Sequence, residues 1–269
     1  MAMITRYDEM FRTLSAKGQM AFIPFVMLGD PSFEATLALV DLLVASGADA
    51  LELGVPFSDP VADGPVIQAA ALRALAAGAT LGKCFPVLAE IRRRHARLPL
   101  GLLVYANLVA HRGLAHFYEH AASAGVDSVL VADVPTAEAT PFSRAARLHG
   151  IAPVQIVPPN AGAALFSRVA MLGDGYSYVL GRAGVTGAES GMKAPARALI
   201  DALQEAGAPP PVIGFGISTP THVREAKAAG AAGVISGSVL VALGEQHRDD
   251  DGARRTAIAV FVREMKSAT

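Results

Sequence analysis

One cysteine, Cys84, stands in a chain of 269 residues. No disulfide can close within the chain, and a metal site built on thiolates has no second cysteine to use. There is no block of lysine or arginine: 23 basic and 24 acidic residues are interspersed, with a formal net charge of −1. The basic stripe that tracks a nucleic-acid backbone is therefore missing. Long apolar runs are missing too. The longest early one, MAFIPFVML at 20–28, is too short to span a bilayer and contains a proline. The opening residues, MAMITRYDEM, carry charge early and lack the apolar core of a secretory leader. The expectation from these absences is a soluble cytoplasmic protein with neither nucleic acid nor membrane as partner. What the chain does have is apolar bulk, 52% hydrophobic, which is ample for a large core.

Short apolar runs alternate with helix-period segments along the whole chain. The runs are 21–28, 49–55, 98–106, 127–134, 152–157, 176–181, 211–216 and 232–237. They are apolar on both faces, as buried parallel strands must be. Several of the intervening helical segments end in glycine, at Gly47, Gly125, Gly207 and Gly230, which suits the left-handed residue beyond a helix C-terminus. Eight such units predict an α/β chain folded as a (β/α)8 TIM barrel, one domain over residues 1–269. The competitor is an open doubly wound sheet, but no GxGxxG follows the first strand. Residues 4–18 read as an extra N-terminal helix under the barrel, and 252–268 as a closing helix.

In such barrels the chemistry sits at the C-terminal ends of the strands. The last strands end in glycines and serine: GFGIS at 214–218 and SGS at 236–238. Bare backbone amides beside a helix start bind phosphate without lysine or arginine; the alternative is that these are ordinary turn glycines. A phosphorylated substrate in a barrel suggests aldolase chemistry. None of the five lysines sits at a strand end, where a Schiff base would need one. His116 and His120 lie four apart in a helical segment away from the strand tops, so no metal site is expected. General acid–base work by carboxylates and tyrosines remains.

The second strand runs into LELGVPFSDPVADGP at 51–65, with three carboxylates. Period-2 alternation sets Glu52 opposite Leu51 and Leu53. If the leucines face the helices, Glu52 points into the barrel mouth, where Phe25, Leu103 and Ile67 could form an apolar wall that raises its pKa. Asp63, on a more solvated loop, would stay ionised. The plain alternatives are a structural Glu52–tyrosine pair and an Asp63 that merely caps the helix from Pro65. Asp59 precedes a proline and reads as a turn or surface residue.

LELGVPFSDPVADGP resembles the signature of the tryptophan synthase α subunit family. The resemblance continues in FIPFVMLGDP (22–31), LLVYANLV (102–109), GVDSVLVADVP (125–135), GYSYVLGRAGVTGA (175–188), GFGIS (214–218) and GAAGVISGS (230–238). It implies retro-aldol cleavage of indole-3-glycerol phosphate to indole and glyceraldehyde 3-phosphate. On that resemblance Glu52 is the acid–base, Asp63 holds the indole N–H, Tyr178 lines the site and Thr186 orders Asp63 on loop closure. Gly187, Gly216, Gly237 and Ser238 match the phosphate cradle, and Phe25, Leu103, Leu130 and Ile67 the indole pocket. It further implies a β-subunit partner in an αββα heterotetramer, met through Pro56, Asp59, Asn107 and Pro135. The pyridoxal phosphate belongs to that partner, and no cofactor or metal is expected in this chain.

The sequence departs from the family pattern at Met27, at Gly181 and Ala183 around Arg182, in the loop at 110–113 and in a longer C-terminal tail. None removes a catalytic group. Two other readings stay open. One is a stand-alone lyase whose end product is free indole. The other is a weakly catalytic regulatory subunit, against which the intact Glu52, Asp63 and phosphate cradle argue.

Overall fold

The computed structural model describes residues 4–181 and 195–269. Eight parallel strands close into a barrel in sequence order, with the last strand pairing back to the first. They are β1 Ala21–Met27, β2 Leu51–Gly54, β3 Leu100–Val104, β4 Ser128–Val131, β5 Ala152–Val157, β6 Ser177–Leu180, β7 Pro211–Gly214 and β8 Gly233–Ser236. All eight apolar runs become strands, each trimmed at one or both ends except β5.

The helices are α1 Arg6–Ala16, α2 Phe33–Ala45, α3 Pro65–Ala76, α4 Leu81–Arg94, α5 Ala106–Ala110 and α6 Leu114–Ser123. They continue with α7 Thr140–Leu148, α8 Ala163–Leu172, α9 Pro195–Glu205, α10 Pro220–Ala228, α11 Ser238–Gln246 and α12 Asp251–Ser267. The four glycines expected beyond helix ends, Gly47, Gly125, Gly207 and Gly230, all have positive φ. Among the described residues no single helix is long and apolar enough to cross a membrane.

Two apolar layers follow from strand alternation. Leu51, Leu53, Leu100 and Leu102 pack outward against Val40, Leu43, Leu88 and Ile91 of the helices. Ile23, Phe25, Leu130, Tyr176 and Tyr178 fill the barrel itself. The capped helix α1 closes the bottom. Its Thr5 hydroxyl accepts from Asp8 N at 3.1 Å while Asp8 accepts from Thr5 N at 2.9 Å.

That cap delivers Tyr7 into the barrel floor, where its hydroxyl sits 2.9 Å from Ser128 Oγ. Room for the ring comes from Gly101 of β3. A Cβ there would lie 2.8 Å from Ser128 Oγ and 3.0 Å from the Tyr7 hydroxyl. Beside this floor Asp127 accepts from Arg6 at 2.8 Å, from Arg92 at 2.5 Å and from Leu100 N at 2.8 Å. The bottom is thus cross-braced, and the opposite end is left for chemistry.

Candidate active site

A cavity of about 330 Å³ opens at the C-terminal mouth of the barrel. Glu52 and Asp63 border it, together with Phe25, Ile67, Leu103 and Tyr178. No lysine or arginine lines it among the described residues. Glu52 is there because β2 is buried on both faces. Leu51 and Leu53 take the helix side, so the residue between them must point inward.

Glu52 is only 2% exposed. Among the described residues its side-chain partner is the Tyr176 hydroxyl, which donates to Oε1 over a long 3.3 Å. Burial without a cation lifts its pKa from an ordinary 4.5 to about 8. The nearby Asp63 adds to the rise, and the Tyr176 hydrogen bond opposes it. Near neutral pH the group is therefore poised between acid and base.

Asp63 is less solvated than its place on a loop suggests, though more so than Glu52. It is half-buried, and desolvation raises its pKa too, with the Tyr105 hydroxyl opposing. The larger shift is still at Glu52. Nor does Asp63 act as a helix cap: the N-cap of α3 is Gly64, with no side-chain hydrogen bond, and Pro65 fills the first turn. The Asp63 side chain is left facing the cavity.

Tyr178 sits deep in the wall, and Gly214 of the neighbouring strand is what admits it. A Cβ at Gly214 would overlap the Tyr178 ring. Gly214, read from sequence as a bare amide for phosphate, is thus a packing position. Burial, Glu52 and Asp63 together push the Tyr178 phenol well above its usual pKa, so it remains a neutral hydroxyl.

Gly216, Gly237 and Ser238 also line the cavity. The two helix starts nearby are not equivalent. Thr219 caps α10 by accepting from His222 N at 3.3 Å. Helix α11 begins at N-cap Gly237 with no side-chain cap, so its first-turn amides are open to an anion. Of these two helix starts, α11 is the one without a side-chain cap.

The remaining sequence candidates divide. Leu130 is buried inside the barrel but is not part of the cavity wall. Its register against Leu103 and Val154 keeps it in the packed interior. Thr186 and Gly187 lie outside the described residues, as do Arg182 and Ala183. On the rim, Asp59, Asn107 and Pro135 are exposed, whereas Pro56 is buried and presents no surface. His116 and His120 stack at 4.1 Å on an exposed helix face, and no group of three metal-ligating side chains occurs among the described residues.

Sequence reasoning missed two residues here. Phe215 lines the cavity at 51% exposure with φ +73°, a strained conformation for a non-glycine residue, between two glycines that make the turn possible. Val61 stands 81% exposed on the acidic loop. An apolar residue in that loop was the available signal.

Fold and cavity together define a (β/α)8 barrel whose mouth cavity is lined by two carboxylates and an uncapped helix start. The family model described as tryptophan synthase alpha chain matches residues 11–269, and the chain belongs to that family. The tryptophan synthase alpha chain of Yersinia pestis is 55% identical over 264 residues, covering 98% of each chain. A crystal structure of tryptophan synthase subunit alpha from Legionella pneumophila superposes with a TM-score of 0.88 at 29% identity, covering 99% of this chain and 98% of that one. A chain of the tryptophan synthase α2β2 complex of Pyrococcus furiosus superposes with a TM-score of 0.81 at 33% identity, covering 91% and 97%.

Proposed function

We propose that this chain, as one barrel domain over residues 1–269, is the tryptophan synthase α subunit. It is a carbon–carbon lyase of tryptophan biosynthesis that cleaves indole-3-glycerol phosphate to indole and glyceraldehyde 3-phosphate. The reaction is redox-neutral. The glycerol hydroxyl next to indole C3 loses its proton, the adjoining C–C bond breaks to leave an aldehyde, and C3 takes a proton. One group that can both give and take a proton near neutral pH suffices, and Glu52, with a pKa near 8, is that group. In our reading it protonates C3 and removes the hydroxyl proton.

Protonation at C3 makes the ring an indolenine with positive charge at nitrogen. Asp63 accepts the ring N–H hydrogen bond and stabilises that charge. The phosphate docks on the open amides of α11 at Gly237 and Ser238, beside Gly216. Phe25, Ile67, Leu103 and Tyr178 sandwich the indole. The observation that carries this reading is that one cavity is lined by Glu52, by Asp63 and by the uncapped start of α11 at Gly237 and Ser238.

The chain works with a β subunit in an αββα heterotetramer, in the cytoplasm. It uses no cofactor of its own; pyridoxal phosphate belongs to β. Asp59, Asn107 and Pro135 give the exposed rim for that contact, and Val61 joins them. The test is indole release from indole-3-glycerol phosphate by the purified chain, with and without a cognate β subunit. Slow release alone and strong activation by β are expected. Fast release unchanged by β would replace this reading with a stand-alone lyase, and no release in either case would reject the mechanism.

A further inference from the structure

A second cavity of about 300 Å³ lies outside the barrel, behind β1 and between α2, α11 and α12. Its inner wall is apolar: Ala35, Ala38, Leu39 and Leu42 of α2 face Ile258 of α12. Its rim is charged, and the charges can be paired off. Arg73 is gripped by both oxygens of Asp30, at 2.7 and 2.8 Å, and approaches Glu245 at 3.3 Å. Arg248 pairs with Glu245 at 3.1 Å and with Asp249 at 3.6 Å, and Arg254 pairs with Asp251. Every rim carboxylate is thereby engaged. Arg255 alone among the described rim residues has no acid partner.

An apolar slot with one spare guanidinium at its edge is complementary to a small amphipathic carboxylate. This cavity also touches the first one. Phe25 borders both, and α11 spans them: Ser238 and Val239 line the active-site cavity, while Leu240, Val241 and Gly244 line the outer one. A ligand wedged against α11 therefore bears on the helix whose first turn receives the anion.

We propose that the outer cavity is a binding site for a small apolar carboxylate, and that its occupancy changes anion affinity at the start of α11. The coupling rests on the phosphate reading of α11; the binding does not. The probe is 3-phenylpropanoate, with its neutral amide as control, measured by calorimetry on the full chain. The carboxylate is expected to bind about two- to five-fold more tightly than the amide, the range for one exposed ion pair. Arg255→Ala, at an exposed position, should erase that difference. Leu39→Trp should fill the slot and abolish binding of both, with circular dichroism checking the fold.

Failure of 3-phenylpropanoate to bind at millimolar concentration, or binding indifferent to both variants, overturns the site. For the coupling, glycerol 3-phosphate is titrated with and without saturating 3-phenylpropanoate. A changed affinity is expected, and by linkage glycerol 3-phosphate must shift the probe's affinity by the same factor. An unchanged affinity overturns the coupling. If glycerol 3-phosphate does not bind even the free protein, the phosphate reading of α11 fails and the coupling with it, while the outer site stands on the first measurement.

Discussion

At the bottom of the barrel Asp127 receives two guanidinium groups and a backbone amide, all within 2.8 Å. At the mouth, among the described residues, Glu52 has a single tyrosine hydroxyl at 3.3 Å and no cation. Both carboxylates are set by strands of the same barrel, at β2 and just before β4. The lower one is held by two guanidinium groups and a backbone amide that compensate its burial. The upper one is buried without compensation, and its pKa rises to about 8. Satisfying a buried carboxylate makes it a brace; leaving it unsatisfied in a cavity makes it a reagent.

The largest expected break in this comparison is Glu52→Gln. The amide keeps the size of the side chain but cannot exchange a proton. Indole release should fall by about 10³-fold or more, within the range for general acid–base groups. The circular dichroism spectrum should be unchanged. Activity within ten-fold of wild type would show that Glu52 is not the proton carrier.

Asp127→Asn tests the other end and should reverse the pattern. Arg6 and Arg92 lose their counter-ion, at a cost of about 2–3 kcal/mol. That is below the value for a fully buried pair because Arg6 is 40% exposed. The melting temperature should drop by roughly 5–10 °C, while turnover at 25 °C stays within about two-fold. A large turnover loss without a drop in melting temperature would erase the division between brace and reagent.

Stability against pH sharpens the comparison further. The folded-state pKa of Glu52 lies above its ordinary value of 4.5, so between about 4.5 and 8 the native state holds more protons than the unfolded state. The stability contribution of this group is fully present below pH 4.5 and declines as pH rises, levelling above 8. Glu52→Gln has no such decline. The variant's melting temperature should therefore gain on wild type between pH 5 and 8, by the equivalent of a few kcal/mol at most. A constant difference across that range would mean that Glu52 ionises at its ordinary pKa in the folded protein.

The barrel was legible because buried parallel strands need apolar residues on both faces, and eight such runs stand out between polar helices. Helix α4 was not, because Pro86 lies inside it and reads as a breaker. At the site, Glu52 was legible from the alternation of β2 alone. The partial burial of Asp63 was not legible, because the Tyr105 hydroxyl that it meets lies far away in sequence. Gly214 was misassigned for the same reason: the Tyr178 ring that requires it lies on the adjacent strand. The difference between capped α10 and open α11 was in reach, since Thr219 precedes the first by one residue while Gly237 precedes the second.

The smallest expected effect concerns Tyr176, the partner Glu52 has among the described residues. The Tyr176 hydroxyl is buried and held from below by the Tyr7 ring, with centroids 5.5 Å apart. Its hydrogen bond favours the Glu52 carboxylate over the acid, but at 3.3 Å it is weak. Tyr176→Phe keeps the ring and removes this preference. The Glu52 pKa should then move up, by no more than the roughly 1 kcal/mol of a typical hydrogen bond, about 0.7 of a unit. In the pH profile of kcat/KM the limb assigned to Glu52 should shift to higher pH by that amount, with the maximum rate little changed. A shift to lower pH would mean that the hydroxyl stabilises the protonated acid, and Tyr176 would then belong with the reagents of the mouth rather than with the braces below it.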